Sequence, residues 1–525
     1  MKKFAYLLFV LLATVFNVTC VAAENDFVEI ECSDSKFMFK VLDESAHTCE
    51  LVRFTLQNTY APVIPASVKI RNVDYSVISI GDRAFLQSFI EKITLPPTIE
   101  HIGKFAFYST NIQELYLPKS VKTIDEFSLE RGSYRVDKNN RHFSSENGVL
   151  YNKKKTELIY VPNNTTGKFV VPKSVVTLGT GAFDNCSKIT EIVLPKSLKI
   201  IRPCCFNACK GLKGIKLPNS LDSIFYDAFR YCDFNEIDIP ESVRYIDSKS
   251  FSCKVNVSRD NEKYSSVDGL LYTKDMTTLL NAPIDIEGEI VLPEGLQKIE
   301  EGVFQNCEKL TKITFPKTLK TIGKNSFNWC KNLKEVVIPA SVDSIGYWAF
   351  DCNMVVDNQN KSYYSEDGVL YNKDKTKIVR FPSSRQGEFS IPNTVIDIEN
   401  CCFRESKLSS IIIPNSVKTM GYQAFGTCKI DTLTIPNSVE YIGNSAFSFC
   451  THIKNLIIPE SVKKIDNGAF VCCYGMKTIE IQNPSVLIGE SAFRSCMALE
   501  KLVLPKGLKR EEIWELRDRA QILYK

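Results

Sequence analysis

One phrase recurs along most of this chain: Ile-Pro-x-Ser-Val-x-x-Ile-Gly-x-x-Ala-Phe-x-x-Cys. A clear copy runs from Leu433 through Pro436, Val439, Ile442-Gly443 and Ala446-Phe447 to Cys450, and the next begins at Leu456. Within each uninterrupted run the prolines fall 22 or 23 residues apart, as at Pro172, Pro195 and Pro218. A fixed period of roughly 20–30 residues with apolar beats is the mark of a stacked solenoid of leucine-rich-repeat type. In the turn from Ile189 to Cys209, the spacing of Ile189, Ile192 and Leu194 predicts a short strand with alternate residues inward. Pro195 ends its ladder, because proline has no N–H. Leu198 and Ile201 supply a second inward pair. Glycine follows that pair in many copies, as in Ile102-Gly103 and Ile345-Gly346, and predicts a bend. Ala-Phe-x-x-Cys predicts a short helical corner with Phe in the centre. One turn cannot bury its apolar face alone, so turns stack and the ends need caps.

The expected architecture is therefore an elongated repeat solenoid of short parallel strands and short helical corners over 76–505. Residues 24–75 precede it. Phe37–Leu42 and Glu50–Phe54 predict a β-hairpin that caps the first coil. Three enlarged units near 131–171, 254–292 and 353–391 interrupt the period. Each carries an Asn-Gly or Asp-Gly turn before an apolar triplet, as in Asn147-Gly148-Val149-Leu150-Tyr151. They are expected to stay in the stack, projecting flaps being the alternative. Over 506–525, Ile513, Leu516, Ala520 and Leu523 share a helical face, which predicts a capping helix.

Met1-Lys2-Lys3 and the apolar run Phe4–Phe16 predict an export signal over 1–23, with Val21-Ala22-Ala23 at the cleavage point. Lipidation at Cys20 is disfavoured by the Asn17-Val18-Thr19 before it. The apolar run is too short for a membrane span of about 20 residues. The two leader lysines account for half of a formal net charge of +4, so nothing predicts nucleic acid as a partner.

Nineteen cysteines in an exported chain would ordinarily suggest disulfides. Eleven of them, Cys186 to Cys496, hold the end-of-turn slot. Equivalent residues of successive turns have parallel Cα–Cβ bonds, which disfavours bridging. They are expected to form a buried ladder of free thiols. Cys32 and Cys49, outside the repeat, are the candidates for a disulfide.

No catalytic constellation is visible. His47, His101, His142 and His452 lie in distant segments, without a metal-ligand spacing. Cys204-Cys205 and Cys401-Cys402 sit in packing slots, whereas a redox pair favours Cys-x-x-Cys. No metal, cofactor or enzymatic activity is expected. What remains is surface. The outward position between the two Ile slots holds Tyr116, Val193, Lys216, Val337, Ile412, Thr434 and Ile457, among others, and stacking would align these into one stripe. Strand propensity alone accounts for Val, Ile and Thr there. Apolar side chains facing solvent also suit a partner-binding strip.

The Ile-Pro-Asn-Ser-Val copies, together with the Gly-Val-Leu-Tyr-Asn-Lys units, resemble the BspA-type leucine-rich-repeat family over almost all of the mature chain. That resemblance implies an exported adhesive protein, secreted or on the cell surface, whose partner is a protein of host matrix or cells, another bacterium, or a glycan. A scaffold or inhibitor of another exported protein of the same cell is the alternative.

Overall fold

The computed structural model describes residues 19–21, 27–32, 35–56, 60–129, 132–508 and 521–525. The expected leader lies outside them except for Thr19–Val21, a short strand. The chain divides into two compact units, Met1–Lys263 and Tyr264–Lys525, and each is a β-solenoid of stacked coils.

Each coil is built on the predicted beats. Strands stop at or just before the repeat proline, as Glu114–Leu117 does before Pro118 and Asn455–Ile458 before Pro459. The proline carbonyl then accepts the N–H of the valine three residues on, closing a tight turn; Pro436 and Val439 are 3.1 Å apart. The serine between them donates one coil back, Ser438 Oγ to the Val417 carbonyl at 2.7 Å. The interior is filled by phenylalanines in register. Phe403, Phe425, Phe447, Phe470 and Phe493 stack nearly parallel at 4.9–5.4 Å between ring centroids. In the first unit Phe183, Phe206 and Phe229 do the same.

The corners are not helical, contrary to the sequence expectation, and no helix occurs among the described residues. The residue before Ala-Phe is left-handed, φ 53° at Ser445, and so is the second residue after Phe, φ 58° at Phe449. Two such residues within one corner exclude an α-helix. The corner amides are also committed elsewhere. Phe425 N donates to Ala446 O at 2.8 Å and Phe447 N to Ala469 O at 2.7 Å, so each rung bonds the next coil instead of closing a turn of helix.

The glycines after the second Ile serve closeness, not a bend. Gly443 has no positive φ, but a Cβ on it would lie 2.7 Å from the Met420 carbonyl oxygen of the preceding coil. On Gly346 it would lie 2.5 Å from the Lys324 nitrogen.

The second Ile slot carries the long parallel ladders. In the second unit one runs through Asp397–Ile398, Thr419–Met420, Tyr441–Ile442, Lys464–Ile465 and Leu487–Ile488. It begins in the enlarged unit, whose strands Tyr363–Glu366, Val369–Asn372 and Lys377–Arg380 form an antiparallel meander; the last of them is the first rung of the ladder. The unit at Phe143–Tyr160 starts the ladder Thr177 to Ile246 in the same way. The expected hairpin, Ser35–Asp43 with Thr48–Leu56, belongs to such a meander too: Phe27–Cys32 precedes it and Thr48–Leu56 passes into a parallel ladder with Val73–Ile80.

The meanders depend on two devices. Asn147-Gly148, Asp268-Gly269 and Asp367-Gly368 have positive φ at both residues, the twist a two-residue hairpin requires. Asn140 and Asn360 are buried at the entrances. Asn360 Nδ2 donates to the Pro339 and Val342 carbonyls, and its Oδ1 accepts the amides of Ser362 and Tyr363.

The expected C-terminal helix falls largely on 509–520, outside the described residues. Its described end, Gln521–Tyr524, is instead a strand, paired in parallel with Lys501–Leu504.

Candidate functional site

All seven sequence-predicted strip residues are exposed, but they do not share one sheet. The first Ile slot forms short ladders, most of two strands. Tyr116 faces Arg135, Val193 faces Val170, Val337 faces Val355 and Ile412 faces Ser390. Ile457 lies in a four-stranded ladder opposite Glu480. Lys216 and Thr434 lie in segments without strand pairing. Where the ladder opens between Val193 and Lys216, a surface groove of about 880 Å³ follows Glu191, Val193, Gly214 and Lys216.

Val337, Ile412 and Ile457 keep 57%, 58% and 53% of their surface exposed. Val355 opposite Val337, Val170 opposite Val193 and Val291 opposite Thr314 are exposed as well and escaped the sequence reading. These three belong to enlarged units, where the regular period fails; for Val170 and Val291 the signal was the strand that begins at Gly167 or Gly288 at the re-entry into the repeat, and for Val355 the strand Asn353–Val356 that opens its unit. Ion pairs flank two of the apolar sites two residues upstream: Lys168–Glu191 at 2.7 Å beside Val170–Val193, and Lys312–Glu289 at 3.1 Å beside Val291–Thr314. Tyr116 is different, because its hydroxyl donates to Asp137 at 2.8 Å and Arg135 lies over its ring. The Asn139 amide, then that hydroxyl, hold the Asp137 carboxyl below its ordinary range.

The long-ladder face is chemically different. There Thr419 donates to Asp397 at 2.6 Å and Tyr441 to Asp466 at 2.7 Å, while Lys464 reaches both the Tyr441 ring and Asp466. The Tyr441 hydroxyl is the first cause of the lowered Asp466 pKa. These polar groups are occupied by one another.

No group of three or more His, Cys, Asp or Glu side chains suited to a metal ion occurs among the described residues. His101 pairs with Thr123 and approaches Asp125 at 3.6 Å. Cys205 and Cys402 are buried, and burial pushes both thiols far up; Cys401 is pushed up to about 11 by the same cause. Such thiols are poor nucleophiles. No disulfide joins the seventeen described cysteines whose side chains are placed, the end-of-turn set and Cys49 among them. Strand register sets Cys32 opposite Ser35, and Ser35 opposite Leu56, whereas Cys49 lies opposite Val41. Seven residues of strand, roughly 20 Å, thus separate the two levels, well beyond disulfide reach. No helix among the described residues is long and apolar enough to cross a membrane.

In the enlarged unit near 353–391 no corner lies between those of Phe350 and Phe403, and Arg380 occupies that gap. Its guanidinium donates to the carbonyls of Phe350, Cys401 and Cys402 and pairs with Asp351 at 2.6 Å.

Coils that share a phenylalanine core and present short outward strand faces define a β-solenoid of leucine-rich-repeat type. The family model described as BspA type leucine rich repeat region matches residues 66–168, 176–259, 286–386 and 379–500. The chain belongs to that family. Among solved structures it is similar to a leucine rich cell surface protein of Faecalibacterium prausnitzii A2-165, at 22% identity and TM-score 0.39, covering 94% of this chain and 98% of that one. A leucine-rich repeat protein of Eubacterium ventriosum shares 20% identity at TM-score 0.40, covering 80% and 94%. The pneumococcal vaccine antigen PcpA shares 14% at TM-score 0.27, covering 95% and 98%. No match was found among curated proteins.

Proposed function

We propose that this chain is an exported, non-enzymatic interaction protein that presents its short strand ladders to a partner, in adhesion to host matrix, host cells or other bacteria. The carrying observation is the set of branched aliphatic side chains at Val337, Ile412 and Ile457, each more than half exposed on a backbone fixed by the stack. Exposed apolar groups on a rigid face cost little ordering on association. The long ladder of the second Ile slot, whose polar groups bond one another, offers less. The leader pattern of Met1–Phe16 supports export.

The test is a binding screen of the mature chain against immobilised matrix proteins and intact cells, repeated with Val337→Lys, Ile412→Lys and Ile457→Lys combined. Weaker capture at an unchanged melting temperature supports the strip. Capture that is equally strong in the variant removes it.

A further inference from the structure

Two of the three tryptophans of this chain meet beside the third enlarged unit. Trp329 and Trp348 touch edge to face, with ring centroids 5.7 Å apart. The Trp329 indole donates to Glu405 at 3.0 Å, reaching a coil beyond the enlarged unit. The Arg404 guanidinium lies 3.9 Å over the Trp348 ring. Tyr347 and Tyr422 continue the row at 6.4 Å, and the Lys324 ammonium stands 4.9 Å from the Tyr347 ring centre. The consecutive Tyr347 and Trp348 thus bring these two ring pairs together as one ledge on the coil corners.

Some of this is a clasp across the missing corner, and a clasp needs no exposed ring. Yet Trp329 keeps 39% and Tyr422 40% of their surface in water. Trp329 and Trp348 are left-handed, φ 60° and 56°, as the equivalent residues of other corners are, Asn185, Tyr231, Ser445 and Phe449 among them.

We propose that the Trp329–Tyr422 ledge binds a pyranose ring of a glycan chain. One face of a pyranose presents C–H groups of partial positive charge, the complement of the negative face of an aromatic ring. The hydroxyls at the sugar's edge require donors and acceptors around that platform, and Lys324 and Glu405 stand there. A flat protein contact would make less use of stacked rings rimmed by both charges. The proposal stands apart from the aliphatic strip, which lies on the strand faces and not on the corners.

The experiment titrates the full mature chain with cellohexaose, laminarihexaose, mannohexaose, chitohexaose and a hyaluronan hexasaccharide, following tryptophan fluorescence. At least one sugar should quench saturably. Trp329→Ala and Tyr422→Ala should each weaken that binding by about tenfold or more, as removal of a central aromatic contact does. Phe89→Ala, at an exposed ring of the first unit, should leave it unchanged. Tyr422 lies outside the Trp329–Glu405 bond, so Tyr422→Ala decides the matter if Trp329→Ala melts early. No quenching by any of the five, or full affinity in Tyr422→Ala, overturns the proposal.

Discussion

The thiol of Cys450 donates to the main-chain carbonyl of Phe425, 3.1 Å away and one coil earlier. The same bond joins Cys428 to Phe403 at 2.9 Å, Cys473 to Phe447 at 3.1 Å and Cys209 to Phe183 at 3.0 Å. The end-of-turn cysteine is therefore more than a small apolar filler. It fits the space between coils and satisfies a buried acceptor. Cys450→Ala should cost about 1–2 kcal/mol, the loss of a modest hydrogen bond plus a small void. Cys450→Ser, which keeps a donor, should cost less. Denaturant unfolding of both variants measures this, and equal losses would mean that the thiol bond contributes nothing.

Alkaline stability follows from the same thiols. Burial pushes Cys186 up to about 12, and raises Cys209, Cys330 and Cys473 as well. In the unfolded chain they ionise near the ordinary thiol value of 9.0. Above that pH the unfolded state binds fewer protons than the folded one, so stability falls as pH rises. It should be flat with respect to these groups below about pH 8 and drop steeply between about pH 9 and 12. Melting curves across that range check it; replacing Cys428, Cys450 and Cys473 by Ser should make the fall shallower.

Gly443→Ala tests the closeness of the coils. The added Cβ would meet the Met420 carbonyl at 2.7 Å, with the Gly421 main chain beside it. Both obstacles are backbone, so overpacking of about 1–3 kcal/mol is expected. A melting temperature equal to wild type would show that the stack yields there.

Ser445→Gly should act in the opposite direction. Ser445 is left-handed at φ 53° and Gly468 fills the equivalent slot one coil later at φ 60°. Relief of a left-handed L-residue is worth roughly 1–2 kcal/mol, less the added freedom of glycine in the unfolded chain. A net gain of about 0.5–1 kcal/mol is expected. A helical corner would predict a loss, since glycine weakens helices.

Arg380→Met removes the guanidinium that fills the missing corner. The Asp351 carboxylate and the carbonyls of Phe350, Cys401 and Cys402 would each lose that donor. Leaving buried acceptors and a charge without their donor costs about 3–5 kcal/mol. Chemical denaturation is the measurement; a variant as stable as wild type would show that the apolar replacement packs as well as the ion pair bonds.

Much of the coil was legible in the chain. Strand ends at Pro118 and Pro459, the Phe425–Phe447 stack and the turns at Gly148 and Gly368 all follow from local chemistry. The candidate surface was legible only where the period holds, at Val193, Val337, Ile412 and Ile457. Val170, Val291 and Val355 stand in the enlarged units, where no repeat slot names them. The corners misled because Ala-Phe-x-x-Cys has helical spacing, while the donors of Phe425 and Phe447 serve the next coil.

Periodicity alone determined that side chains 22 or 23 residues apart share an interior, and hence that the chain coils. Only the tertiary structure decided which slot holds a long ladder, how each corner turns, and that an antiparallel meander starts each long ladder described above. The reason is physical. Inward and outward are written in neighbouring residues, but the partner of each corner amide, each cysteine thiol and each Gly443-type contact lies a full coil away, at a spacing set by the stack as a whole.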